Sequence, residues 1–324
     1  MKIVLTGSLG NISKPLAQDL VQKGHSVTVI SSKAERQKDI EAFGAKAAIG
    51  QLQDLEFLTK TIRGADIVYL MEPADAAAFQ DPNLNLVKSI SEVGNNFKKA
   101  VQASGVKQLV HLSSIGAHTD KGNGILALHY IVEKILSQLP TDVSIKTIRP
   151  VGFYNNLLAN AQMIKDTAKG FIGLFLALRF YGLGGLLGGK RGVIVSNYGE
   201  KDIIPWVSPL DIATAIADEM AKPFNGRTVR YVTSEELSCN EVAKTLGEAI
   251  GKPYLKWGIL SDKQLMDAMV KMGMNQEVAK GIVEMNAAQH TGKLFEDYNR
   301  NKPALGKVKL KDFVPQFAAA YNHG

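Results

Sequence analysis

Cysteine is almost missing: Cys239 is the single one in 324 residues. One thiol excludes an internal disulfide and argues against any cysteine-based metal site, and no metal is expected. Internal repeats and low-complexity tracts are also missing, so solenoids, propellers and disordered linkers are set aside. No run of Lys and Arg is interleaved with aromatic side chains. A nucleic-acid site is therefore not expected, despite a net charge of +7 and a pI near 9.2. The lysines are instead scattered, as at Lys252, Lys256, Lys263, Lys271, Lys280 and Lys293. Such a diffuse field attracts small anions. No leader pattern precedes the first apolar run, so a cytoplasmic location is expected.

What is present suits a globular chain of about two domains. Apolar residues make up 45% and charged residues 21%. The first 24 residues organise the rest. Ile3–Leu5 is too short for a helix and fits a buried strand. Gly7 and Gly10 make a turn, Leu16, Leu20 and Val21 recur at helical spacing, and Gly24 stops the helix. Strand, glycine turn and helix together form a pyrophosphate cradle: glycine admits the phosphates, and free N–H groups at the helix start face them. Thr6, Gly7, Leu9, Gly10, Asn11 and Ile12 are the candidate residues around that anion. The third small position of the pattern is Ser13 rather than glycine, which predicts slightly looser helix–strand packing. Pro15 falls in the first helical turn, where a missing N–H costs little.

The second strand, His25–Ile30, ends in Ser31-Ser32-Lys33-Ala34-Glu35-Arg36. An acidic residue at the strand tip would hold the ribose 2′-hydroxyl of NAD. Here Ser32, Lys33 and Arg36 can bond and neutralise a 2′-phosphate, so NADP(H) is expected over NAD(H). Further strands are predicted at 45–49, 67–71, 108–113 and 143–149, alternating with helices at 55–62 and 84–103. That alternation predicts an α/β fold with a doubly wound parallel sheet. Met71, Glu72 and Pro73 end the fourth strand and Ser113 the fifth. Met71 and Ser113 join the cofactor candidates, because ligands sit beyond the carboxyl ends of parallel strands.

These features resemble the NmrA-like branch of the atypical short-chain dehydrogenase/reductases. The likeness is carried by Thr6–Gly10, by Gly105–Ser114, by Ile148-Arg149-Pro150 with Phe153 and Asn156, and by Pro205–Ala213. It implies a Rossmann domain over 1–150, with 192–220 and 227–232 returning to it. A smaller, mostly helical substrate lobe would span 151–191 and 233–324. It also implies an NADPH-dependent oxidoreductase acting on a small acceptor such as a quinone. Two alternatives stay open: a non-catalytic NADP(H) redox sensor, and a sugar-nucleotide epimerase or dehydratase.

Short-chain dehydrogenases usually carry Tyr-x-x-x-Lys on the helix after the fifth strand. The lysine lowers the tyrosine pKa, so the phenol can exchange a proton with a carbonyl. Tyr130 and Lys134 fit that pattern. His129 and Glu133, one residue earlier, fit the His-x-x-x-Glu pair of several NmrA-like members. On a helical wheel, Leu128, Ile131, Val132, Ile135, Leu136 and Leu139 form the apolar face, with Tyr130 nearly opposite and His129 at its border. That placement favours His129/Glu133, with Glu133 fixing the imidazole tautomer or supporting the helix. Without an activated tyrosine, a quinone or conjugated carbonyl is a better acceptor than a simple ketone.

Phe153 and Tyr154 are expected to stack on a substrate ring, Asn156 to bond a carbonyl, and Trp206 to wall the pocket. Gly170–Gly189 approaches the length of a membrane span, but Arg179 interrupts it and its glycines weaken a helix. No membrane span is expected there; an apolar lid over the substrate or a homodimer contact is, with a membrane-touching flap as the alternative. Ser208, Ser238 and Ser261 read as N-caps, with Asp211, Glu241 and Gln264 reaching back from the third helical position.

Overall fold

The computed structural model describes residues 1–73, 77–81 and 83–323. Its first half alternates strand and helix. The strands are β1 (Lys2–Leu5), β2 (Ser26–Ser31), β3 (Lys46–Ile49), β4 (Ile67–Leu70), β5 (Gln108–Leu112) and β6 (Ser144–Pro150). The helices are α1 (Ser13–Gln22), α2 (Gln37–Glu41), α3 (Leu55–Ile62), α4 (Leu86–Ser104) and α5 (Ala127–Leu136). The second half contains β7 (Gly152–Phe153), α6 (Ala159–Asp166), α7 (Gly170–Leu187), β8 (Ile194–Ser196), β9 (Ile203–Val207), α8 (Pro209–Ala221), β10 (Arg227–Val232) and β11 (Glu235–Ser238). It ends with α9 (Cys239–Ala249), β12 (Trp257–Ile259), α10 (Asp262–Lys271), α11 (Gln276–His290), α12 (Glu296–Arg300) and α13 (Leu310–His323).

The main sheet has the order β10-β6-β5-β4-β1-β2-β3, and every pairing in it is parallel. A parallel sheet is covered on both faces, and its strands accordingly read as continuous apolar runs. Ile3, Leu5, Val29 and Tyr69 join a core that includes Leu16 and Leu20 of α1 and Ile212 and Ile216 of α8. Val4, Val68, Leu70 and Leu109 join a second core with Leu58 of α3, Phe97 of α4 and Val132 of α5. Strand order reverses between β1 and β4, which opens a crevice beyond their carboxyl ends.

The returning segments split. β10 pairs with β6 along its length, and α8 packs against α1. β8 pairs instead with β12, while β9 sits between β7 and β11 in a small separate sheet. Among the contacts that tie the later helices to the first half is one close crossing. Gly124, with φ +56°, lies so near α11 that a Cβ there would be 2.0 Å from the Gly281 carbonyl oxygen. This crossing fixes the turn that leads into α5.

Capping follows the sequence at two of three sites. Ser238/Glu241 and Ser261/Gln264 form reciprocal boxes. Ser208 does cap α8, accepting from the Leu210 N–H, but Asp211 does not reach back. Asp211 instead accepts from Ser234 Oγ at 2.6 Å and from the backbone N–H groups of Lys307 and Val308. Three donors from distant segments outcompete one local N–H, so the carboxylate clasps the chain before α13.

α7 departs furthest from a compact fold. It is long and apolar enough to cross a membrane, the only such helix among the described residues. Gly182, at φ 71° and ψ 176°, breaks its helical path. The two ends of the excursion are stapled together: Thr167 Oγ1 accepts from the Val193 N–H at 2.9 Å and donates to the Val193 carbonyl at 2.8 Å. Both ends leave and enter at one place, whereas a span puts them about 30 Å apart.

Candidate active site

Thr6 locks the crevice between β1 and β4. Its N–H bonds the Tyr69 carbonyl, and its Oγ1 accepts from the Met71 N–H at 2.7 Å. Gly7 follows at φ +90°, where a side chain would be strained. A Cβ there would also lie 2.4 Å from Ser13 Oγ and 2.6 Å from Met71 Cε. Ser13 is fully buried and donates to the Thr6 carbonyl at 3.0 Å. The serine therefore binds strand to helix by a hydrogen bond, and the predicted loosening does not occur.

The start of α1 has no side-chain cap and no acidic residue in its first turn. Its N–H groups and partial positive charge are thus left for an anion. Gly10 and Asn11 are exposed beside it, Leu9 is partly buried, and Ile12 anchors the turn in the core. The residues fit a dinucleotide diphosphate: a cradle that a Cβ would fill, next to an uncapped helix start.

At the neighbouring strand tip, Ser8 Oγ donates to Ser31 Oγ at 2.8 Å. Ser31 also accepts from the Lys33 N–H, which shapes the turn. Ser32, Lys33 and Arg36 project into solvent beyond it. Arg36 Nη1 lies 3.9 Å from Asp39, an open pair that leaves the guanidinium free to engage a phosphate. Ser8 and Ser31 were not singled out in the sequence, because a serine–serine bridge between two loops has no spacing signature.

Beyond β4 and β5 lies a titratable cluster. Glu72 and His111 are both buried, with Oε1 and Nε2 2.9 Å apart. Burial opposes charge on either group. Each nevertheless stabilises the other's ionised form, so the His111 pKa is raised and that of Glu72 lowered. His111 Nδ1 is buried without a partner. His129 is partly buried and has no hydrogen bond among the described residues. Burial lowers its pKa; Glu72 pulls it back up, the nearby His111 lowers it again, and Glu133 opposes least. The two imidazoles are therefore pushed in opposite directions, His111 toward its charged form and His129 toward its neutral one. A polar residue within the apolar run Leu109-Val110-His111-Leu112 was the available sequence signal for the first.

Glu133 serves a different partner from the one expected. Arg149 grips it in a fork, Nη2 to Oε2 at 2.6 Å and Nε to Oε1 at 2.9 Å. Ser113 Oγ donates to the same carboxylate. Arg149 continues to Asp297 and to the Tyr231 hydroxyl, both at 3.3 Å. Glu133 thus ties α5 to Ser113, just past β5, and through Arg149 to β6 and α12, and no hydrogen bond joins it to His129. Lys134 is exposed, its ammonium 5.7 Å from the centroid of the Tyr130 ring, and Tyr130 has no hydrogen-bond partner.

The expected substrate residues separate. Tyr154 and Trp206 are 1% and 3% exposed and belong to the core. The Tyr154 hydroxyl donates to Glu235, and its ring stacks on Phe313 at 5.8 Å, so it is committed to packing rather than to a ligand. Phe153 is partly buried on β7, and Asn156 is exposed on the following turn. Among the described residues no group of His, Cys, Asp and Glu is arranged to hold a metal ion. Cys239 is buried, which raises its thiol pKa and leaves it unreactive.

Parallel order, switch-point crevice and glycine cradle define a dinucleotide-binding Rossmann protein. Residues 7–154 match the NAD(P)H-binding family, so that stretch is NAD(P)H-binding, in keeping with the resemblance to atypical short-chain dehydrogenase/reductases. Over most of its length the chain is similar to an NAD(P)H azoreductase of Xenophilus azovorans. The two share 23% identity over 88% of this chain and 86% of that one. An NADPH-dependent quinone oxidoreductase from Escherichia coli, solved with NADPH, has the same fold, with a TM-score of 0.72 at 19% identity over 97% of this chain and 99% of that one. A triphenylmethane reductase of Citrobacter sp., solved with NADP(H), gives a TM-score of 0.69 at 18% identity over 98% of this chain and all of that one.

Proposed function

We propose that this protein is an NADPH-dependent oxidoreductase acting on a small, flat, conjugated acceptor, a quinone or conjugated carbonyl. The observation that carries the reading is the partly buried His129, without a hydrogen-bond partner among the described residues, near the buried Glu72–His111 pair beyond the carboxyl ends of β4 and β5. When bound, NADPH supplies a hydride. The acceptor gains that hydride and one proton, and NADP⁺ and the reduced acceptor leave. His129 bonds the acceptor oxygen and passes the proton, and burial, which lowers its pKa, favours the neutral imidazole. The first half of the site holds the cofactor: Thr6, Gly7, Leu9, Gly10, Asn11 and Ile12 surround the diphosphate, Met71 and Ser113 border the crevice, and Ser32, Lys33 and Arg36 select NADP(H) over NAD(H). Three relatives named for azo, quinone and triphenylmethane acceptors support a flat conjugated substrate.

A panel of quinones tests this by NADPH consumption. Turnover is expected, and His129→Asn should reduce kcat about 10²-fold with NADPH affinity retained. Tyr130→Phe should leave turnover unchanged; its loss would turn the assignment toward the epimerase chemistry that needs a tyrosine. The full engagement of Glu133 by Arg149 and Ser113 favours one second reading, a sensor that binds NADP(H) without turning over. Tight cofactor binding with no acceptor reduced would establish that reading instead.

A further inference from the structure

The α7 excursion carries a surface that the proposed reaction does not use. In its first helical stretch, Gly173, Leu176 and Ala177 are buried against the lobe. Opposite them, Phe171, Ile172, Leu174, Phe175 and Leu178 form one exposed arc, with Phe171 84%, Ile172 65% and Phe175 56% accessible. Leu183 and Leu187 extend it past Gly182. At 100° per residue the five span less than half the helix circumference, so they make one continuous face. Exposed apolar faces of this extent mark an interaction site.

The charges around that face say what covers it. No Asp or Glu occurs between Asp166 and Glu200, whereas Lys169, Arg179, Lys190 and Arg191 do. Lys169 precedes the helix. At its other end Lys256 donates to the Phe180 carbonyl at 2.9 Å, and the ammonium groups of Lys190 and Lys252 lie 5.9 and 5.7 Å from the Tyr254 ring. Tyr181 stands edge-on to Tyr254. Glu200 is the acidic group in the cleft shared with Arg179, Lys244 and Lys256. Lys169, Arg179, Lys190, Arg191, Lys244, Lys252 and Lys256 outnumber Asp166 and Glu200. A second copy of this chain would bring two such rims together and repel.

We infer that the α7 face docks on an anionic lipid bilayer, with Phe171, Ile172, Phe175 and Leu178 in the interface and Lys169, Lys190, Arg191 and Lys256 at the headgroups. An apolar helix face with flanking cations and tyrosines is suited to lie in the plane of a membrane surface. The staple of Thr167 to Val193 makes this an in-plane contact and not a crossing. The inference stands apart from the catalytic reading and shares no residue with it.

Flotation of the full chain with phosphatidylcholine vesicles, with and without phosphatidylglycerol, is the test. Binding is expected to the anionic vesicles and to fall as salt rises. Neutralising Lys169→Gln and Lys190→Gln together should weaken it about 30-fold, roughly fivefold per cation. Phe171→Ser with Phe175→Ser should abolish it with Tm unchanged, since both side chains are exposed. Three results would overturn the inference: no flotation with anionic vesicles, flotation indifferent to the double serine variant, or a dimer in sedimentation equilibrium that this variant splits.

Discussion

At the residue scale, polar groups here are placed by burial and partner. Arg149 and Glu133 are 9% and 15% exposed at their side chains, so removing either partner strands a buried charge. Glu133→Gln should cost roughly 3 kcal/mol in urea unfolding, whereas a surface pair such as Lys263–Asp267 should cost almost nothing when broken. The His111–Glu72 pair has its own pH signature. The raised pKa of His111 gives stability that is complete below its unfolded value and is lost as pH rises through the folded one. The lowered pKa of Glu72 gives stability present above its unfolded value and lost as pH falls through the folded one. The stability gap between the native chain and His111→Gln should therefore be widest between about pH 4.5 and 6.5 and narrow on both sides. Unfolding titrations across that range check it. His129 acts in the other direction: its lowered pKa makes acid favour the unfolded chain. None of this could be read from spacing, because His-x-x-x-Glu looks the same whether the carboxylate turns to the histidine or to Arg149.

At the element scale, the loop from β1 to α1 was the most legible part. Its residue types follow from local backbone needs: a positive φ at Gly7, a buried hydroxyl at Ser13, and no cap at the helix start. Gly7→Ala adds about 1–2 kcal/mol of backbone strain and drives a methyl group into Ser13 and Met71. The expected outcome is loss of the thermal shift with NADPH, measured beside the unliganded Tm of the variant. Helix caps were legible where the box closes on itself, at Ser238 and Ser261. At Asp211 the competing donors come from 234, 307 and 308, which local sequence cannot reveal. The apolar stretch at α7 was visible as a string, but its outward face was not, since its composition is apolar on all sides.

At the scale of the whole molecule, the cation-rich tip of β2 and the cradle of α1 should act together on one ligand. NADP(H) bound at 100 times its Kd should stabilise the chain by about 2.7 kcal/mol. NAD(H) at the same concentration should give a smaller shift, and Lys33→Glu with Arg36→Glu should reverse the order. A thermal-shift series with the two nucleotides measures both.

The sequence alone determined the parallel α/β framework, the dinucleotide corner and the helix starts that close on themselves. Each depends on residues within a few positions of one another, where backbone geometry and hydrophobic period act directly. Only the tertiary structure decided that Glu133 belongs to Arg149, that Tyr154 and Trp206 pack inside, that His111 is paired with Glu72, and that one face of α7 is bare. Those outcomes are contests between partners brought together across 16 to 148 positions of chain. Burial and donor geometry settle such contests, and neither is written in any one stretch.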